Sequence, residues 1–129
     1  GSITSTPESI WRRYTDTRLT LPFFFQEKLI PVHAVWDDHD YGLNNSNEDF
    51  QYKDESAEVF NAFFAQSLSD ESYSKGHGVG GLLSLGDFNL YFLDARSFRS
   101  SHKEGHHLGS EQYQWLIKDL KEEAQPSLI

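Results

Sequence analysis

The feature of this sequence that most constrains its fold is a junction. The apolar run Ile30-Pro31-Val32-His33-Ala34-Val35-Trp36 passes without a spacer into Asp37-Asp38-His39-Asp40. A short apolar run entered through a proline is the pattern of a buried strand, so the sequence predicts a strand over 30–36. A buried strand that ends in consecutive ionisable side chains delivers them to the sheet edge where open α/β sheets place ligands. Those side chains repel one another unless a cation or strong hydrogen bonds compensate. Asp37 to Asp49 then reads as a polar loop dense in Asp and Asn.

The segments on either side supply the remaining elements. Thr4 to Leu19 reads as a helix that Ser5 or Thr6 can cap, with Pro7 suited to its first turn and Glu8 placed as in a capping box. Its apolar positions Ile10, Trp11 and Tyr14 recur at helical spacing. Pro22 to Lys28 is either a short helix or a hydrophobic loop. Asp54 to Leu68 returns to helical period through Ala57, Phe60, Phe63, Phe64 and Leu68. Ser69 to Gly81 reads as a Ser/Gly-rich loop. Leu82 to Leu85 and Phe88 to Asp94 are strands joined by a hairpin turn at Gly86-Asp87. Gly109 to Ala124 is a helix capped by Ser110, with Tyr113, Leu116, Ile117, Leu120 and Ala124 as its apolar face. Strands interspersed with helices predict an α/β or α+β fold, with few strands for a complete sheet.

Composition narrows the function. The 129 residues suit one domain, and 11 basic against 20 acidic residues give a net charge of −9. That balance argues against binding a nucleic-acid backbone, which takes clustered Lys and Arg. An aromatic content of 15% argues against a disordered chain. With no cysteine, a disulfide scaffold, a thiolate nucleophile and a cysteine metal site are all excluded. No apolar run approaches a membrane span, and no signal-peptide pattern opens the sequence. Gly1 and Ser2 read as a cloning scar. With no methionine present, the sequence reads as a piece of a longer protein.

The oxygen-rich run Asp37 to Asn45 favours a hard or borderline cation, and the imidazole of His39 can ligate metal or donate to a phosphate oxygen. The plainer alternative is a solvated acidic turn. An EF-hand calcium loop starting at Asp37 fails, because His39 and Tyr41 stand where Asp or Asn is wanted.

Trp36-Asp37-Asp38-His39-Asp40-Tyr41-Gly42-Leu43-Asn44-Asn45 resembles the signature of the PhoD-like alkaline phosphatases, a branch of the metallophosphoesterases. Trp11 to Tyr14, Ile30 to Val32, Leu93 to Arg99 and Leu108 to Leu116 are similar to family segments in the same order. The resemblance implies a partial phosphatase domain over residues 3–129, with an incomplete metallophosphoesterase-like sheet flanked by helices. It implies hydrolysis of phosphate mono- or diesters at two metal ions (calcium, iron, zinc or manganese) that activate a water. Asp38 matches a metal ligand, with Asp37 and Asn44 or Asn45 as lesser candidates. His39 matches the residue that steadies the phosphoryl oxygens or protonates the leaving group. Arg96 is either a bidentate phosphate clamp or the ion-pair partner of Asp94 or a loop carboxylate. The family's earlier Gly-Asp motif and its late His-bearing segments have no counterpart here, so the sequence carries about half a binuclear site. The resemblance also implies an exported parent protein, in the periplasm, the secretory pathway or outside the cell.

The weaker signals have plain readings. His102, His106 and His107 suit a solvated loop better than a zinc site, because Gly105 interrupts any helix presenting them. His33 reads as a core residue, and His77 as a loop residue or the lip of a substrate entrance. Ser84 lacks the strand-to-helix context of a nucleophile elbow. Two further readings stand beside the phosphatase: a non-catalytic module whose acidic loop binds calcium or a protein partner, and self-association through the exposed edges of a short sheet.

Overall fold

The computed structural model describes residues 5–26, 28, 32–65, 72–101, 105–122 and 126–129. Helix α1 spans Pro7–Thr20 and a 3₁₀ turn covers Pro22–Phe25. Helix α2 is the single turn Asp38–Tyr41, and α3 spans Lys53–Phe64. Strands β1 (Tyr73–Lys75), β2 (Gly81–Leu85) and β3 (Phe88–Phe92) are followed by α4 (Ser110–Glu122) and β4 (Ser127–Leu128). The strands form one mixed sheet in the order β1-β2-β3-β4, antiparallel except where β4 runs parallel to β3. Helices and a mixed sheet make the fold class α+β, within the range that the sequence predicts.

Local chemistry explains where the elements start and stop. Thr6 caps α1 by accepting from the Ser9 amide at 3.3 Å, and the Ser9 hydroxyl accepts in return from the Thr6 amide at 2.9 Å. The box is therefore Thr6 with Ser9 rather than Ser5 with Glu8, one residue along in register. Helix α3 ends where Ala65 turns left-handed with φ of 49°, and the expected extension to Leu68 falls outside the described residues. The hairpin turn is confirmed, with Gly86 at φ +62° as a two-residue connection requires.

Four sequence expectations change. Residues 32–36 belong to no strand; Trp36 is buried and Val35 is exposed, while residues 30 and 31 lie outside the described residues. A buried strand needs ladder partners, and among the described residues the sheet draws its strands from residues 73–92 and 127–128. Strand β1 lies inside the segment read as a loop, where three residues are too few to show alternation. In α4, Tyr113 is 55% exposed and Gln112 is buried in its place, because the Gln112 amide bonds the backbone of Asp94. The first turn of α4 also differs: Ser110 is its first residue, and the Gly109 carbonyl accepts from the Tyr113 amide.

The core gathers Ile10 and Tyr14 from α1, Trp36, Tyr41 from α2, Phe60 from α3 and Val79 from the β1–β2 connection. Phe63 and Phe64 pack against it, as their helical spacing predicts. Each large apolar side chain sealed there contributes roughly 1.5–3 kcal/mol. Helix α4 covers one face of the sheet, with the Tyr91 hydroxyl donating to Asp119 at 2.6 Å and the Tyr91 ring 5.9 Å from Trp115. On the other face His33 stacks on Tyr73 at 5.3 Å and lies 6.0 Å from Phe92, a half-buried packing role. No helix of the described residues is long and apolar enough to cross a membrane.

Candidate functional site

The acidic junction is held from three directions. From α1, Arg13 donates to the His39 carbonyl at 2.8 Å and Tyr14 donates to the Asp40 carbonyl at 3.0 Å. A guanidinium against the last carbonyls of the α2 turn complements their partial negative charge. Burial pushes the Tyr14 phenol pKa upward, with the Asp40 carboxylate adding to the shift, so the hydroxyl stays a donor. Within the turn, Asp37 and Asp40 form a reciprocal capping box, and the Asp37 amide donates to Asp40 Oδ2 at 3.2 Å.

The second support is a buried carboxylate. Asp94 is fully buried, and its Oδ1 accepts from Trp36 Nε1 at 2.8 Å and from the Arg96 and Ser97 amides at 3.0 and 2.9 Å. Its Oδ2 accepts from the Val79 amide at 3.1 Å and the Ser97 hydroxyl at 2.7 Å. Its own amide and carbonyl are both bonded by the Gln112 side chain. One residue thus ties together Trp36, the β1–β2 connection and the loop after β3 through its side chain, and α4 through its backbone. Only an acceptor with two oxygens serves so many donors. Gly78 makes room for it at φ +62°, where a Cβ would run into the Asp94 carboxylate.

Arg96 is the third support. Its backbone is fixed by Asp94, and its side chain, 13% exposed, crosses to the junction, where Nε donates to Asp37 Oδ1 at 2.8 Å and Nη2 contacts the same oxygen. Nη2 also stands 4.0 Å from Asp38 Oδ2. Of the two roles the sequence allows for Arg96, the geometry is that of an ion pair with loop carboxylates. Asp94 receives only its backbone N–H.

Asp38 itself is anchored as a carboxylate. Its Oδ2 accepts from the Asn45 amide at 2.9 Å, and its Oδ1 accepts from the His39 amide at 2.9 Å. The Asn45 hydrogen bond, with lesser help from Arg96 and the His39 amide, outweighs the opposing effect of burial and lowers the Asp38 pKa. Asn45 reaches this position with φ of 59°, a conformation that asparagine tolerates. The tie from Asn45 is its backbone; its side chain and that of Asn44 are exposed. The His39 side chain is exposed beside Asp38.

The structure therefore brings Asp37, Asp38, Asn45 and Arg96 together, with His39 at the rim and Asn44 one residue outside. As a shell for the ions that the resemblance implies, this set falls short. Among the described residues no three His, Asp or Glu side chains gather as metal ligands, and a guanidinium already neutralises Asp37. Sequence reasoning missed Asp94 as the organiser. Its signal was local, since Asp followed by Arg96 and Ser97 is an Asx-type turn in which the side chain accepts from the next amides.

The other histidines lie apart. His77 is half-buried, its ring centroid 6.4 Å from Phe98 and 6.1 Å from Trp115. His106 and His107 are exposed, and His102 falls outside the described residues. No protein-family model matches the chain, and no match was found among curated proteins or solved structures.

Proposed function

We propose that this chain carries the signature-loop part of a phosphoric-ester hydrolase, acting on phosphate mono- or diesters, with Asp38 and His39 at its centre. The observation that carries the reading is the state of Asp38. Two backbone amides hold its carboxylate beside the exposed imidazole of His39, in the run that resembles the phosphatase signature. An ionised carboxylate kept in one orientation is an electrostatic anchor, and an imidazole at its side can deliver a proton to a departing alkoxide. Metal ions, where further ligands complete a shell with Asp38, would supply charge stabilisation of the phosphoryl group.

Hydrolysis of p-nitrophenyl phosphate and bis-p-nitrophenyl phosphate by the full-length natural protein tests this. His39→Ala lowers turnover by about 10²–10⁴-fold, the scale of a lost general acid or base. Equal turnover by the variant and the parent on both esters rejects the role of His39.

A further inference from the structure

Asp38 is gripped by an amide seven residues further along, so its orientation depends on where the loop after α2 places Asn45. Residues 42–52 form that loop, and they are turns and bends without helix or strand. Surface loops of this kind move independently unless side chains tie them down. Here the tie starts in the turn that carries the site. Tyr41, the last residue of α2, donates its hydroxyl to the Asn47 carbonyl at 2.9 Å. Tyr41 has no exposed surface, and its ring packs 4.9 Å from Trp36 and 5.4 Å from Phe50. A ring locked this way gives its hydroxyl a single place to reach. Burial, with the charge of Asp94 adding to it, pushes the phenol pKa upward, so the hydroxyl remains a donor.

The Asn47 carbonyl is the hub of the loop. It accepts from Tyr41 and from the Phe50 amide at 3.0 Å, which fills both of its lone pairs. Just before it, the Ser46 amide donates to the Leu43 carbonyl at 2.9 Å and closes the bend that contains Asn44 and Asn45. A second hold lies where the turn becomes the loop. A Cβ on Gly42 would stand 2.8 Å from the Phe50 ring, so the ring lies against bare backbone there. Asp38 meanwhile has a second suitor for its carboxylate: Arg96 Nη2 stands 4.0 Å from the same Oδ2 that Asn45 holds.

We infer that Tyr41 is a positioning residue for the proposed site: its hydroxyl fixes the loop so that the Asn45 amide keeps the Asp38 carboxylate beside His39. Tyr41 acts through Asn47 and Asn45 and not on the reacting atoms. Without the hydroxyl the loop loses its buried anchor, the Asn45 amide parts from Asp38, and the carboxylate turns toward Arg96. Misorientation of this kind costs turnover rather than substrate binding, because the lost complementarity is to the transition state. The kinetic consequence rests on the hydrolysis proposed above, whereas the hold on Asp38 stands on the geometry alone.

Tyr41→Phe tests the inference, since it keeps the packed ring and removes one oxygen. The Asn45 amide, followed by NMR, loses the downfield shift that a carboxylate acceptor gives and exchanges with solvent about tenfold faster, the scale of one lost hydrogen bond. On bis-p-nitrophenyl phosphate, kcat falls by about tenfold while KM stays within about twofold. Tyr113→Phe, a change at an exposed tyrosine of α4, alters neither readout. Gly42→Ala displaces the same loop at its other hold and produces both signs, and adding Phe50→Leu, which clears the ring, restores the parent behaviour. If Tyr41→Phe fails to fold, this second pair decides in the same way. An unchanged Asn45 amide in folded Tyr41→Phe overturns the inference. So does, in a parent that hydrolyses the ester, an unchanged kcat or a loss confined to KM. A parent that hydrolyses no ester rejects the hydrolase and leaves the Asn45 amide to decide: displaced, the hold by Tyr41 stands; unchanged, it falls.

Discussion

Asp94 and Asp38 both follow apolar segments, and both accept backbone amides, yet their surroundings are opposite. Asp94 has no exposed surface, and both of its oxygens are filled by donors from three separate segments. Asp38 keeps 14% of its side-chain surface, and its neighbour Asp37 keeps 75%. The buried carboxylate is an internal acceptor with nothing left to offer a ligand. The outer pair is held by two amides on Asp38, the capping box of Asp37 and one arginine, and retains lone pairs toward solvent. A carboxylate saturated by its own fold builds structure, and one left partly unsatisfied at a rim is available for chemistry. Arg96 links the two, with its backbone on Asp94 and its side chain on Asp37.

Removing the inner acceptor has the largest expected effect. Asp94→Ala leaves the Trp36 indole and three amides without their partner in the interior, and unfolding in urea reads a loss of about 4 kcal/mol or more. A loss under about 1 kcal/mol would mean that water replaces Asp94 and that the two regions are alike. Cutting the link costs less. Arg96→Met lowers stability by roughly 1–2 kcal/mol, since Asp37 is mostly exposed while the guanidinium is mostly covered. In a double-mutant cycle with Asp37→Asn the two losses are non-additive, and strict additivity would break the link.

The smallest effect concerns acid. The Asp38 pKa is lowered in the folded state, so its contribution to stability is complete above the unfolded value near 3.8. That contribution is lost as pH falls through the lower folded value. Asp38→Asn therefore flattens the acid limb of stability below about pH 4 and leaves the neutral region nearly unchanged. A variant whose acid limb matches the parent would place the acid sensitivity elsewhere.

The parts of this molecule legible in sequence are those decided locally. The Gly86-Asp87 hairpin, the start of α1 and the Phe60, Phe63 and Phe64 stripe each follow from a few adjacent residues. Strand β4 was illegible because two residues beyond a helix gain their strand character only by lying parallel to β3. Residues 32–36 have a strand's composition, but composition does not provide a neighbouring ladder. Of the site, Asp37, Asp38, His39 and Arg96 were all visible by residue type. The partner of Arg96 was not, because the choice between Asp94 and Asp37 is made by backbone geometry across 59 positions.

The proposed role of the Asp38–His39 pair in phosphate-ester hydrolysis is tested most directly by measuring turnover and urea unfolding on the same samples of the protein, parent and His39→Ala. The account predicts turnover reduced by about 10²–10⁴-fold with unfolding free energy within about 0.5 kcal/mol of the parent. Turnover that is unchanged, or that falls only as far as stability falls, would contradict it.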